Sequence, residues 1–329
     1  MKTTQVWLDA SVHTVREITP TVREFTLRPS DGVRPHEPGS HLQVQINVGQ
    51  GALARPQTRS YSLIGPSEGA FYRIAVKRLD EGRGGSLAMW RLSVGDRLRI
   101  SEPQNHFSLD LVAPAYLLVA GGIGITPLVL MAQTLARRGV MVRMVYGART
   151  QDELAYLPDL TALQSPFSLQ TAVSSLDQSI DFDAEIAALP PGTQAYVCGP
   201  APMLDAMRRA WQSAGRPLAD LRYETFGSSG RFAPQAFRVK IPRQAVDITV
   251  PANCSLLDAL ELQGVQALYD CRRGECGLCA MDVLSVDGEI DHRDVFLSDE
   301  EKAQNRRICV CVSRAVGSIT LDSAYRPEI

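Results

Sequence analysis

The chain predicts three domains: an antiparallel β-barrel, an α/β domain with a doubly wound parallel sheet, and a small α+β domain around a cysteine loop. Three observations carry this. Up to about residue 103, short strand-like runs are separated by Gly/Pro-rich turns with little helix between them. From about residue 108 to 228, buried-type strands alternate with helical segments, which predicts a parallel sheet covered on both faces. Further on, Cys271, Cys276 and Cys279 stand as C-x4-C-x2-C, with Cys309 and Cys311 about thirty residues later.

With 329 residues, the chain has room for two or three cores. Hydrophobic residues at 45% and charged residues at 21% describe an ordinary globular protein, and a net charge of −2 points away from nucleic acid and other polyanions. The opening MKTTQVWLDASVHT lacks the apolar core of a signal peptide. No run reaches the roughly eighteen apolar residues of a membrane helix. Seven cysteines, five of them crowded toward one end, do not read as a disulfide framework. The expected setting is the cytoplasm.

In the first region the strand runs are TVREFTLRP, HLQVQINV, TRSYSLIG, FYRIAVKR and DRLRI, separated by turns such as RPHEPGS. Within RSYS, Arg59 and Tyr61 lie two apart and so share one face of a strand. That places a guanidinium for a phosphate next to a ring for stacking, with Ser60 and Ser62 interleaved. A glycine-rich turn before SLAMW sets Gly84, Gly85 and Ser86 as a second phosphate cradle. Either element alone fits a plain surface strand or turn, but two in one small barrel point to a bound phosphate.

The second region opens with the strand YLLVA, followed at once by GGIGITP, Gly121–Pro127. Gly121, Gly122 and Gly124 allow backbone N–H groups close to a diphosphate. Thr126 suits a helix cap and Pro127 a first helical position, aiming the positive helix end at the phosphate. Pro127 stands where a dinucleotide fingerprint would have its third glycine, so the strand–helix junction favours a nucleotide site more than the motif itself. MVRMVYGA, LQTAVSS and QAYVCGP continue as strands, and DELAYLPDL, DAEIAAL and APMLDAMRRAWQSAG as helices. Cys198, Gly199 and Pro200 end a strand where ligands bind in open α/β sheets. Phe226 either covers a ring system or seals the domain. The histidines show no ligand spacing, and Cys254 reads as packing.

GSSGRFAPQ, small, polar and broken by proline, reads as a linker. Strands AFRVKIP and AVDITVP, a helix SLLDALELQG, the cysteine loop and a short helix SDEEKAQ follow. C-x4-C-x2-C with a distant fourth cysteine is the ligand spacing of a plant-type [2Fe–2S] cluster. Gly274 and Gly277 supply the turns that aim three sulfurs inward. Zinc ribbons use paired C-x2-C elements, and only one such pair exists here. On spacing alone Cys309 and Cys311 are both open as the fourth ligand, since they share a face if RRICVCVSRA is a strand. Arg272 and Arg273 make the loop basic, an expected contact for an acidic patch on an electron acceptor.

In this order, R-S-Y-S, G-G-I-G-I-T-P, C-G-P, C-x4-C-x2-C and CVSRA resemble the ferredoxin–NADP reductase superfamily over essentially the whole chain. Within it they resemble the phthalate dioxygenase reductase type, which includes vanillate demethylase reductase subunits. The resemblance implies an FMN-binding barrel at 1–104, an NADH-binding α/β domain at 105–228, a linker at 229–235 and a β-grasp ferredoxin domain at 236–329. It implies that Arg59 contacts the FMN phosphate, Tyr61 lies against the flavin and Ser62 bonds near its N5. Val76 and Lys77 would line the flavin, with Gly85 and Ser86 at the phosphate. Gly122, Gly124 and Thr126 would hold the NADH diphosphate and ribose, Cys198 and Gly199 would flank the nicotinamide, and Phe226 would sit near the flavin. Ser62, Cys198 and Phe226 are thus the expected catalytic contacts. CVSRA favours Cys311 as fourth ligand, beside Cys271, Cys276 and Cys279. Arg149, without a fuller basic set, favours NADH over NADPH. The implied protein is a monomeric oxidoreductase that passes electrons from NADH through FMN and a [2Fe–2S] cluster to a Rieske-type aromatic-ring oxygenase or O-demethylase. The alternative is a free-standing NADH:acceptor reductase with a different acceptor.

Overall fold

A computed structural model of the chain describes residues 6–48, 55–66, 69–80, 84–226 and 230–322. The chain divides into two compact units, Met1–Glu224 and Thr225–Ile329.

In the first unit, alternating apolar runs form β1 (Trp7–Thr19), β2 (Val22–Pro29), β3 (Ser40–Val48), β4 (Arg55–Ser62), β5 (Tyr72–Lys77), β6 (Arg97–Ser101) and β7 (Gln104–Asn105). Their order is β4-β3-β6-β1-β2-β5, with β7 on β3, and every pairing is antiparallel. Phe25, Leu27, Leu42, Val44, Tyr72 and Ile74 fill its interior. Leu63, just past β4, bridges Ile74 of β5 and so brings the two ends of the sheet together. Each expected strand is present. The sequence reading missed β1, a 13-residue strand between β6 and β2. Its burial alternates only through Val12, and a register shift between Val12 and Thr14 breaks the period of two.

A second sheet of the same unit contains β8 (Ala115–Gly121), β9 (Met141–Ala148), β10 (Phe167–Val173), β11 (Gln194–Cys198) and β12 (Leu221–Glu224). All are parallel, in the order β10-β9-β8-β11-β12. The connecting segments carry α2 (Ile125–Arg137), α3 (Leu157–Thr161), α4 (Phe182–Ala187) and α5 (Ala201–Ser213); α1 (Gly85–Trp90) belongs to the first sheet's turn. β8 is entirely buried, as a strand covered on both faces must be. The chain runs to opposite sides after β8 and before β11, so the crevice at their carboxyl ends is the topological switch point. The helix expected over DELAYLPDL forms only in its second half. Tyr156 takes a left-handed conformation (φ 61°) and starts α3 afresh.

The second unit is a mixed sheet of β13 (Phe237–Ile241), β14 (Val246–Val250), β15 (Ala280–Asp291), β16 (Arg307–Cys309) and β17 (Arg314–Asp322) in the order β14-β13-β17-β15-β16. β13 and β17 pair in parallel and the others antiparallel. α6 (Leu256–Leu262) buries Leu256, Leu257 and Leu260 in its core, and Ser255 Oγ caps it by accepting from Asp258 N at 3.0 Å. α7 (Asp299–Gln304) opens with a capping box between Ser298 and Glu301. Part of the expected linker, residues 227–229, lies outside the described residues. The rest is bonded to this unit: Arg231 N donates to Asp291 at 2.8 Å, Arg293 to Phe232 O at 3.0 Å, and Arg314 to Gln235 O at 3.0 Å.

Candidate functional site

The cysteine loop is shaped by its backbone. Arg272, Gly274 and Gly277 all have left-handed φ. A Cβ on Gly274 would meet Val312 at 2.6 Å, and one on Gly277 would meet the Phe296 ring at 2.2 Å. The turn aims the N–H groups of Arg273, Glu275 and Cys276 at Cys271 Sγ, each at 3.4 Å. Each of these donors favours the thiolate, but the hydrogen bond shared with Cys276 and then burial push the Cys271 thiol up on balance. Glu275 accepts from Thr225 N at 2.7 Å and pairs with Arg273 at 3.3 Å, yet burial still lifts its carboxyl to about 7.

The four expected ligands come together as two pairs. Cys279 and Cys311 lie 3.1 Å apart, and Cys271 shares a hydrogen bond with Cys276. The hydrogen bond from Cys271 pulls Cys276 down to about 6, while contacts with Cys309 and Cys311 pull Cys279 down to about 4. Among the described residues, no three His, Cys, Asp or Glu donors converge on a single ion. Two thiol pairs are a donor set that fits two irons.

Cys309 and Cys311 do not share a strand face. β16 ends at Cys309, paired with Ala280, and Cys311 sits in the turn beyond it. Both thiols reach Cys279, but Cys311 also feels Cys271, whereas Cys309 faces the Asp294 carboxylate. Of the two, Cys311 is the one with an electrostatic contact to Cys271.

The loop arginines overturn one expectation. Arg272 is largely buried, bonded to Asp258 at 2.8 Å and Glu261 at 2.6 Å and stacked over Tyr269 at 4.1 Å. Arg273 is buried against Glu275. Both cations are neutralised within the unit, so neither offers free charge to an acceptor.

In the first unit, β4 lays Arg59 and Tyr61 on one face. The Arg59 guanidinium bonds to Thr58 O at 2.8 Å and to Gln57. A Cβ on Gly85 would come within 2.7 Å of Arg59 Nε, so the two phosphate-type elements are adjacent. Gly84 takes φ 79° at the start of α1. Tyr61 is half-buried, and burial pushes its hydroxyl well above the usual range against the pull of Arg59. Ser62 Oγ is buried with no hydrogen-bond partner among the described residues, as a group awaiting a ligand atom would be. Three other expected contacts are already engaged. Val76 is buried with its carbonyl bonded to Trp90 Nε1 at 3.0 Å, Lys77 pairs with Glu153 at 3.1 Å, and Ser86 Oγ accepts from Leu79 N at 3.0 Å. Ser60 stays on β4, opposite Gln43.

In the crevice, the glycine loop and the C-G-P turn interlock. A Cβ on Gly124 would lie 2.1 Å from Cys198 O, one on Gly121 2.6 Å from Pro200, and one on Gly199 3.1 Å from Gly121 Cα. Gly124 permits backbone-on-backbone packing, Gly121 makes room for the Pro200 and Met203 side chains, and Gly199 for Met203 and the Gly121 backbone. Gly122 differs: its φ is 53° and nothing lies within 4 Å of where its Cβ would sit. Thr126 does not cap the helix. A 3-10 turn over Gly122–Gly124 runs straight into α2, which begins at Ile125, so Thr126 and Pro127 lie inside it. Thr126 Oγ1 donates to Ile123 O at 3.0 Å instead. Phe226 is half-buried and falls in the second unit rather than with the crevice residues.

Sequence reasoning missed Gln57, which holds Arg59, and Tyr146, whose hydroxyl donates to Gly122 O at 3.2 Å. A tyrosine in an apolar strand carries no signal that separates it from core.

Residues 118–209 match the oxidoreductase NAD-binding domain family, and residues 239–316 the 2Fe-2S iron–sulfur cluster binding domain family. The chain is 37% identical over 317 residues to the phenoxybenzoate dioxygenase subunit beta of Ectopseudomonas oleovorans, covering 94% of this chain and 96% of that protein. It is 36% identical over 319 residues to the heme-dependent oxidative N-demethylase beta subunit of Ectopseudomonas mendocina, covering 96% and 98%. The solved structure of phthalate dioxygenase reductase, described as modular for electron transfer from pyridine nucleotides to [2Fe-2S], matches with a TM-score of 0.79 and 33% identity. That match covers 96% of this chain and 98% of the other.

Proposed function

The chain belongs to the phthalate dioxygenase reductase family, and on that premise we propose that it carries electrons from NADH through FMN and a [2Fe–2S] cluster to a separate oxygenase component. The observation that carries the reading is the arrangement of four thiols as two pairs. When bound, the flavin accepts two electrons as a hydride from NADH, and the cluster hands them on singly.

The chain's own residues bind and aim these groups. Arg59, with the Gly84–Gly85 backbone beside it, holds the FMN phosphate. Tyr61 and the strand edge at Val76 bound the ring, and the unpartnered Ser62 hydroxyl meets its N5 edge. Lys77 and Ser86 serve by fixing the surrounding backbone. Gly122 admits the NADH diphosphate, and Gly121, Gly124 and Thr126 keep that loop in shape. Cys198, Gly199 and Pro200 would lie beside the nicotinamide. Cys271, Cys276, Cys279 and Cys311 are the ligands. Asp152 follows Arg149 after β9, and its carboxylate disfavours a 2′-phosphate, which supports NADH.

The Leu63–Ile74 bridge supports a closed barrel over 1–104, and parallel β13 and β17 beside α6 support a β-grasp domain over 236–329. Residues 105–228 and 229–235 remain the nucleotide domain and its connection. Among the described residues no disulfide joins any of the cysteines, which supports a reducing, cytoplasmic setting. Among the described residues no helix is long and apolar enough to cross a membrane. The protein acts as a monomer, and its acceptor is the Rieske centre of an aromatic-ring oxygenase or O-demethylase. A second reading, in which the acceptor is a haem protein, is favoured by the Ectopseudomonas mendocina relative, whose name marks it as heme-dependent. Anaerobic mixing of the NADH-reduced protein with purified Rieske and haem oxygenases separates them. Rapid electron delivery to the Rieske protein alone supports the first; delivery only to haem overturns it.

A further inference from the structure

A buried polar path joins the nucleotide loop to the flavin strand, and no ligand is needed to trace it. Tyr156 is 3% exposed and donates its hydroxyl to Glu24 Oε2 at 2.9 Å; Glu24, on β2, is 4% exposed. The same carboxylate oxygen lies 4.0 Å from Arg73 NH1, and Arg73 Nε donates to Ile64 O at 3.2 Å. Ile64 follows the Arg59–Ser62 strand by two residues, and its N–H is held by Arg73 O at 2.9 Å. On the other side of Tyr156, the Ala155 backbone, whose N–H donates to Glu153 O at 2.9 Å, lies beside the Tyr146 hydroxyl, which donates to Gly122 O at 3.2 Å. Hydrogen bonds and one ion pair, joined through the Ala155–Tyr156 backbone, thus lead from Gly122 to Ile64.

Two features separate this from ordinary packing. Tyr156 keeps a left-handed φ of 61°, a conformation a tyrosine adopts at a cost. A buried carboxylate is also costly unless its partners are fixed around it, and Glu24 draws its partners from separate elements. Arg16 of β1 reaches its other oxygen at 3.2 Å, Arg73 comes from β5, and Tyr156 alone comes from the nucleotide sheet's side. Lys77–Glu153 at 3.1 Å adds a parallel tie three residues away. We infer that the segment Glu153–Tyr156 is a strut that sets the distance between the diphosphate loop and the flavin strand, with Tyr156 as a positioning residue for hydride transfer. The inference rests on the proposed NADH–flavin reading.

The test uses the flavin-loaded holoenzyme and Tyr156→Phe, which keeps the ring and removes the hydroxyl. The rate of flavin reduction by NADH falls about ten- to a hundred-fold, since a displacement of roughly 1 Å is enough for that loss. The NADH dissociation constant stays within about two-fold. Amide hydrogen exchange rises at both Ala155 and Ile64, although Ile64 lies well away from Tyr156 in sequence. Arg73→Gln, at a partly exposed position, cuts the same path and gives the same pattern should Tyr156→Phe fail to fold. Glu24→Gln keeps an acceptor oxygen for the Tyr156 hydroxyl and retains more of the rate than Tyr156→Phe. An unchanged reduction rate, or exchange that rises at Ala155 and not at Ile64, overturns the strut. A wild-type protein whose flavin NADH cannot reduce overturns the function instead, while the exchange coupling still tests the strut.

Discussion

The cysteine loop and the nucleotide loop are both glycine-rich, yet their glycines answer different demands. In the cysteine loop, Gly274 and Gly277 combine left-handed φ with crowding from Val312 and Phe296, so the turn itself is the product. In the nucleotide loop, Gly124 is there because two backbones touch, Gly121 and Gly199 because Pro200 and Met203 pack onto them, and only Gly122 faces open space. A glycine motif near a ligand site therefore mixes residues that build the fold with residues that admit the ligand. Substitution separates the two kinds.

The largest effect is expected in the cysteine loop. Cys311→Ser removes the cluster, with loss of iron, sulfide and visible absorbance, while Cys309→Ser keeps them. NADH-driven ferricyanide reduction survives in the first variant if the flavin is its exit, and cytochrome c reduction falls to near zero. Retention of the cluster in Cys311→Ser and its loss in Cys309→Ser reverses the ligand assignment.

Gly124→Ala comes next. Its Cβ would sit 2.1 Å from Cys198 O, backbone that cannot swing aside, so the nucleotide sheet loses its packing. A loss above about 4 kcal/mol is expected, read as insoluble protein or a Tm lowered by more than about 8 °C. Arg272→Met follows, at about 2–4 kcal/mol, because Asp258 and Glu261 keep carboxylates whose partner is gone. Electron delivery per intact cluster stays unchanged at low salt. A weakened acceptor interaction without a stability loss would return Arg272 to a docking role.

The smallest effect falls on Gly122. Alanine there meets no neighbour and carries only the cost of the left-handed conformation, about 1–2 kcal/mol. The fold is kept and KM for NADH rises several-fold through the methyl near the diphosphate. Equal damage from Gly122→Ala and Gly124→Ala would erase the distinction between the loops.

Much of this was legible in the residues. Ligand spacing read the cysteine loop, and strand–helix alternation read the parallel sheet, because both patterns are local. The reading of β1 failed where a register shift broke the alternation after Val12. Thr126 failed as a cap because the preceding 3-10 turn moved the helix start to Ile125, a shift that side-chain type does not encode. Arg272 looked free because its partners, Asp258 and Glu261, sit on α6, outside the loop's own sequence. The Tyr156–Glu24 bond spans 132 positions, and nothing local announces it.

The most direct measurement is cofactor content of anaerobically purified protein: flavin identity, iron, sulfide and zinc, with the visible spectrum before and after NADH. One FMN with two irons and two sulfides per chain, all bleached by NADH, is the predicted result. Zinc without sulfide, in protein made with ample iron, would contradict it.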